Sequence, residues 1–234
     1  MDATSMSFSG LKTKTIVTVL AAALATSALG YWSYGEYRQQ ELRVAVTGLV
    51  KDTSVRMGDA LSAETRPTPA DTVVTLRKFY DHAEAVDGNF RKLHNMDVAP
   101  VEALAGAADD YILTSREILL RWASSHRYRV KLSGSIMALR NHMRADDRTG
   151  AWVSDAIRAK ERVEEDYRDY KIAASALGNL LASYPDSRAK MAPYVDAELL
   201  TGEALVEAAR KQTLAVSRQT ADEIEKARQL ETYR

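Results

Sequence analysis

Apolar residues recur along this chain at alternating spacings of three and four, the repeat of a helix with one buried stripe. From Glu36 to about Glu64 the stripe is Leu42, Val46, Leu49, Thr53, Met57 and Ala60. Thr65-Arg66-Pro67-Thr68-Pro69 ends it, because proline disfavours helix at its own position and the one before. Asp71 is then placed to cap a second helix, whose stripe is Leu76, Phe79, Ala83, Val86, Phe90 and Leu93. That pattern breaks between Asn95 and Pro100.

The third helix has the most regular pattern: Val101, Leu104, Ala108, Tyr111, Ser115, Ile118, Trp122, Ser125, Arg129, Leu132, Ile136, Leu139 and Met143. Ile112, Leu119 and His126 form a second stripe beside it. A stripe this wide packs on more than one neighbour, which places this helix centrally in a bundle. Ser133-Gly134-Ser135 is where a bend is expected. After a turn at Asp146–Gly150, a fourth helix carries Val153, Ala156, Lys160, Val163, Tyr167, Tyr170, Ala174, Leu177 and Leu181. Tyr184-Pro185-Asp186 is expected to end it. A last helix is expected from Pro193, with Val195, Leu199, Gly202, Val206, Ala209, Thr213, Val216, Thr220, Ile224 and Ala227 on its weaker face. The pattern predicts an all-α fold: an antiparallel bundle of four or five long, coiled-coil-like helices over residues 36–234.

One stretch breaks the amphipathic rule. Ile16–Tyr34 is apolar on every face, and nineteen residues at helical rise span about 28 Å, near the thickness of a hydrocarbon core. It reads as a single transmembrane helix over 15–35. Residues 1–14 would be a short cytoplasmic N-terminus, because Lys12 and Lys14 precede the span. Tyr31, Trp32, Tyr34 and Tyr37 follow it as an interfacial aromatic belt. Arg38 and Arg43 weaken the charge asymmetry, so an inverted orientation is the rival. A cleaved signal peptide ending at Ala28-Leu29-Gly30 is another, but the aromatic cluster suits an uncleaved anchor better. Thr18, Ala22, Thr26 and Gly30 line one face with small residues, the kind that lets a second transmembrane helix approach closely. These features place the protein in a bacterial inner membrane, with the bundle periplasmic.

Composition narrows the chemistry. The 234 residues hold 32 Lys+Arg against 32 Asp+Glu, which gives no reason to expect nucleic acid as a partner. The chain has no cysteine, which excludes disulfides, thiolate metal sites and covalent c-type haem attachment. Glycine (11) and proline (5) are scarce, as long helices require.

Candidate chemistry is thin. The third helix is rich in Arg116, Arg121, Arg127, Arg129, Lys131, Arg140 and Arg144, and the fourth offers Glu161, Glu164, Glu165, Asp166 and Asp169. A hairpin about Thr149 sets Arg129 and Lys131 opposite Glu165 to Asp169. That arrangement reads as interhelical ion pairing, with a basic groove for an anionic ligand or acidic partner as the sharper alternative. His82, His94, His126 and His142 lie in no metal-binding spacing, and neither a nucleophile elbow nor a phosphate loop occurs. No cofactor and no enzymatic activity are expected. The expected role is an accessory or scaffold subunit of an envelope membrane complex. Its partners would be an integral membrane protein complex, or a second copy through the transmembrane helix, together with the lipid bilayer. A ligand-sensing bundle of chemoreceptor-like architecture, signalling through a partner, is the alternative.

Overall fold

A computed structural model describes residues 9–62, 69–144 and 150–229, with side chains from Ser33, Val74 and Ala151 onward in the three segments. Among these residues there are five α-helices and no strand: α1 Ser9–Ser62, α2 Pro69–His94, α3 Glu102–Arg144, α4 Gly150–Met191 and α5 Glu203–Gln229. Two short 3-10 turns, Ala99–Val101 and Ala197–Leu199, precede α3 and α5. Among the residues whose side chains are described, from Ser33 onward, no helix is long and apolar enough to cross a membrane. The positions Thr18, Ala22, Thr26, Gly30, Tyr31 and Trp32, and with them nearly all of the span read from sequence, lie before Ser33, outside the described side chains.

Cross-helix contacts fix the direction of each helix. Leu49 and Thr53 of α1 meet Asn89 of α2, and Arg38 meets Asp97, so α1 and α2 are antiparallel. Asp87 with Arg116 and Phe79 with Trp122 make α2 and α3 antiparallel. Thr114 with Ser187, Ser135 with Asp166, and His142 with Trp152 do the same for α3 and α4. Glu203 with Arg188 and Arg228 with Glu164 complete the series for α4 and α5. Helix α3 touches all four others, which is the central position its wide stripe predicts.

The registers show a hand-over along the rod. Near the α2–α3 connector, α1 and α2 pack on α3 and α4 around Val46, Val50, Met57, Phe79, Val86, Tyr111, Ile118, Trp122, Leu181, Tyr184 and Met191. Farther along α3, α1 and α2 drop out, and α5, which already sets Val206 and Ala209 in the first core, remains as the third helix. There a smaller core of Leu132, Ile136, Leu139, Val163, Tyr170, Ala174 and Ile224 lies among three helices. The α3 stripe is buried from Val101 to Leu139, apart from the half-buried Arg129, and the hydrogen-bonded helix runs unbroken through Ser133–Ser135.

Four details depart from the pattern-based reading. Helix α2 begins at Pro69, so Asp71 lies within its first turn and does not precede it as a cap. Helix α4 continues through Pro185 to Met191. The proline removes one donor and crowds the Leu181 carbonyl, a cost of about 3 kcal/mol. Continuing the helix buries Ser187 and Met191, and one fully buried Met side chain is worth about 2 kcal/mol. The 3/4 stripe through Leu177, Leu181, Tyr184 and Met191 runs straight through the proline.

The last helix starts at Glu203, ten residues after Pro193. The intervening chain turns and tucks Val195, Leu200 and Thr201 inside, burial that a straight helix from Pro193 would forgo. Finally, Val153 and Lys160 are exposed although they extend the α4 stripe. The described turns of α5 stop level with Glu164, where Arg228 pairs with it, and so do not reach Val153.

Candidate functional site

The charged residues singled out on α3 and α4 have separate fates. Asp166 is 1% exposed and buries its carboxylate at the edge of the distal core. Lys131 Nζ lies 2.6 Å from one carboxylate oxygen, and the Ser135 hydroxyl donates to the other. Asp169 stands 3.8 Å from the same ammonium. The hydrogen bond to Asp166, reinforced by the acidic residues around it, raises the Lys131 pKa above the ordinary lysine value. A buried carboxylate tolerates no change of register that leaves it unpaired, so Lys131–Asp166–Ser135 pins α4 against α3. Arg129 takes no part in this cluster; its guanidinium donates to His126 Nδ1 at 3.3 Å. Arg127 and Glu165 are exposed.

Above this pairing lies a surface groove of about 620 Å³ between α3 and α4. Its α3 wall is Lys131, Gly134, Ser135 and Ala138, and its α4 wall includes Asp155, Arg158, Ala159, Arg162 and Glu165. Small residues on the facing walls leave the space, and both signs of charge line it. Lys131 is engaged with Asp166 and Arg158 with Asp155 at 3.8 Å. The groove therefore presents a mixed rim, whereas an anion site needs an unopposed basic one.

Two buried polar clusters were not legible as sites in the sequence. In the first, the Tyr111 hydroxyl is the hub. Ser54 Oγ lies 2.7 Å from it, Tyr184 OH 2.9 Å, and the Thr201 backbone N–H donates to it at 3.2 Å. Tyr184 donates to the Thr201 carbonyl at 3.2 Å, and the Thr201 hydroxyl donates to the Ser54 carbonyl at 3.1 Å. One consistent proton order satisfies these five bonds, with Ser54 giving to Tyr111 and Tyr111 giving to Tyr184; the Thr201 hydroxyl oxygen, 3.3 Å from the Tyr111 hydroxyl, is the alternative acceptor for the Tyr111 proton. Burial, then the neighbouring Tyr111, pushes the Tyr184 pKa far above the ordinary tyrosine value. Its phenol stays neutral and serves as a fixed donor. The knot joins α1, α3, α4 and the chain entering α5. Its sequence signal was Tyr111 at a stripe position, whose hydroxyl needs a partner once buried; Tyr184 stood in the segment expected to end the fourth helix. Ser54 and Thr201 carry no signal of their own.

In the second cluster, buried Asn89 donates to Asp52 Oδ2 at 2.7 Å and to Thr53 Oγ1 at 3.1 Å. Arg56 donates to the same Asp52 oxygen at 2.7 Å. Burial would raise Asp52, but these two donors outweigh it and the pKa is lowered.

The remaining candidates have structural surroundings. His142 Nε2 donates to the Trp152 carbonyl at 2.9 Å, Trp152 Nε1 donates back to the His142 carbonyl at 3.1 Å, and the two rings stack. This reciprocal latch closes the α3–α4 hairpin. Asp109 faces His94 at 3.5 Å and Asp110 faces Lys190 at 3.1 Å. Among the described residues no three His, Asp or Glu side chains converge as a metal site would need. Tyr34 and Tyr37, the two belt residues within the described side chains, are 65% and 67% exposed.

No family model matches this chain, and no curated protein or solved structure is significantly similar to it.

Proposed function

We propose that this chain is a non-enzymatic, single-pass membrane protein of the bacterial envelope, an accessory or scaffold subunit that braces an integral membrane complex. The observation that carries this reading is the continuity of α1. The apolar stretch Ile16–Tyr34 belongs to the same unbroken helix, Ser9–Ser62, that contributes Val46, Val50 and Met57 to the core. An anchor joined to its bundle by helix, without a linker, transmits position and orientation, as a brace must. Exposed Tyr34 and Tyr37 stand just before the first contacts with the α2–α3 connector, at Arg38–Asp97 and Gln39–Pro100. That is where a lipid–water interface would fall. The small-residue face Thr18, Ala22, Thr26 and Gly30 is the surface offered to the partner's transmembrane helices or to a second copy.

The test is extraction of the full-length protein from membranes in mild detergent, beside an Ala22→Leu/Gly30→Leu variant. The expected result is a defined co-purifying membrane protein, or a dimer, that the variant loses while still inserting. A wild-type protein that extracts alone and monomeric would overturn the reading. A C-terminal reporter active only in the cytoplasm would overturn the periplasmic orientation.

A further inference from the structure

Within the bundle α1 has two opposite faces. Val46, Val50 and Met57 are buried in the core, while the far side carries Tyr37, Val44 and Val55, 67%, 68% and 54% exposed, with Gly48 among them. We propose that this outer face is a docking surface for a helix of a different integral membrane protein, one that continues out of the membrane alongside α1. The proposal rests on the membrane reading above and narrows its partner, because a second copy of this chain does not fit the face.

Glycine and phase point to a helix as the occupant. A glycine inside a helix costs about 1 kcal/mol relative to alanine. Gly48 is exposed in mid-helix, and a Cβ built on it would meet nothing within 4 Å. The bundle gives no reason for the missing side chain, whereas a helix crossing close to α1 does. Val44 and Val55 lie on either side of it, about 10 and 27 Å beyond Tyr37 at helical rise and so clear of the hydrocarbon. Eighteen residues make about five helical turns, and Thr26 and Val44, Gly30 and Gly48, and Tyr37 and Val55 are each eighteen apart. Because α1 is unbroken from Ser9 to Ser62, positions 26 and 30 fall on the same side of the helix as 44 and 48. The small-residue positions of the anchor and the exposed stripe above them form one surface.

Charge then decides against a second copy. Glu41 and Lys51, both exposed, lie on the edges of the same stripe, about 15 Å apart along the axis. Two copies anchored in one membrane run parallel, so Glu41 would face Glu41 and Lys51 would face Lys51, pairings of like charge that weaken association. Antiparallel pairing would match Glu41 with Lys51, but it sends the two anchors to opposite ends and does not form on one membrane. The partner that fits carries a basic residue level with Glu41 and an acidic one level with Lys51, about 15 Å farther from the membrane, beside a stripe of apolar and small side chains.

The experiment places a benzophenone amino acid at one position at a time in the full-length protein, in its native membrane, and photo-crosslinks. Positions 26, 44 and 55 are expected to give adducts with one and the same membrane protein. Ile172 and Leu214, 65% and 45% exposed on α4 and α5, are expected to give none. Glu41→Lys combined with Lys51→Glu is expected to lower the yield at position 44 about fivefold, with the Tm unchanged because both side chains are exposed. An adduct of twice the mass of the chain, equal capture at positions 172 and 214, or a yield indifferent to the charge reversal would overturn the proposal. Capture from position 26 but from neither 44 nor 55 would overturn it and leave the membrane reading standing. Release of the protein from membranes by alkaline carbonate would overturn both.

Discussion

Tyr111→Phe removes one oxygen and keeps the ring, so it isolates the value of the buried knot. The ring still fills its fully buried site, and no cavity larger than the hydroxyl results. Ser54 can turn back to a carbonyl of its own helix, as Ser62 does toward Gly58. Its loss is therefore the net worth of one hydrogen bond, about 1 kcal/mol. The Thr201 N–H has no such escape: it is buried in non-helical chain and donates only to Tyr111. Stranding that donor costs about 1–3 kcal/mol. The expected total is about 2–4 kcal/mol.

Tyr184→Phe takes away the oxygen to which Tyr111 donates, but the Tyr111 proton can turn to the Thr201 hydroxyl oxygen 3.3 Å away, so the change leaves only the Thr201 carbonyl without its partner. It should cost about 1–2 kcal/mol. The two changes share the Tyr111–Tyr184 bond, so the double variant should lose less than the sum of the singles. Urea unfolding of all four proteins, with the midpoint and slope fitted separately, measures the cycle. A Tyr111→Phe protein within about 0.5 kcal/mol of wild type, or strict additivity, would refute the picture of a hub with no alternative acceptor.

Acid and helix-interior effects supply two further tests. His126 is pushed down to about 4, first by burial and then by Arg129. An imidazole whose folded value lies below its unfolded 6.5 contributes full stability above pH 6.5 and loses it as pH falls toward 4. The loss is at most about 3 kcal/mol. His126→Gln should flatten the stability profile between those pH values, and an unchanged slope would refute the assignment. Asp52 and Glu164 are both lowered, Asp52 by Arg56 and Asn89 against its burial and Glu164 by the Arg228 hydrogen bond, so what they contribute is lost only as pH falls below the ordinary carboxylate values of 3.8 and 4.5. Pro185→Ala restores a donor for the Leu181 carbonyl. After discounting the looser unfolded chain it should raise stability by about 1–2 kcal/mol. A fall in Tm would mean that the proline ring itself makes a contact the helix needs.

The parts of the fold that were legible share one property: packing repeats along them. The α3 stripe from Val101 to Leu139 and the α5 face at Val206, Ala209, Thr213, Thr220, Ile224 and Ala227 are buried as their spacing implies. Where a single residue was weighed against its neighbourhood, the local rule lost. Pro185 argues for a break, but Leu181, Tyr184 and Met191 continue the stripe across it. Pro193 argues for a start, but Leu200 and Thr201 fold inward first. The knot was unreadable for a different reason. Ser54, Tyr111, Tyr184 and Thr201 come from four places in the chain, and their meeting depends on the registers of α1, α3 and α4 together. His126 stood on the second stripe in the sequence, yet only its place at the hand-over shows that its outer nitrogen faces no protein acceptor.

The hand-over also makes the molecule a ruler. Helices α3, α4 and α5 contribute to both cores, and the 43 residues of α3 are about 64 Å long at helical rise. On the proposed anchorage, the latch of His142 and Trp152 would stand roughly that far from the connector beside Arg38. Its height would be set by residue count and not by loop slack. Seven residues added to each arm of the α3–α4 hairpin would keep every stripe in phase and raise the tip by about 10 Å. Three residues would turn the faces out of register before adding any useful height.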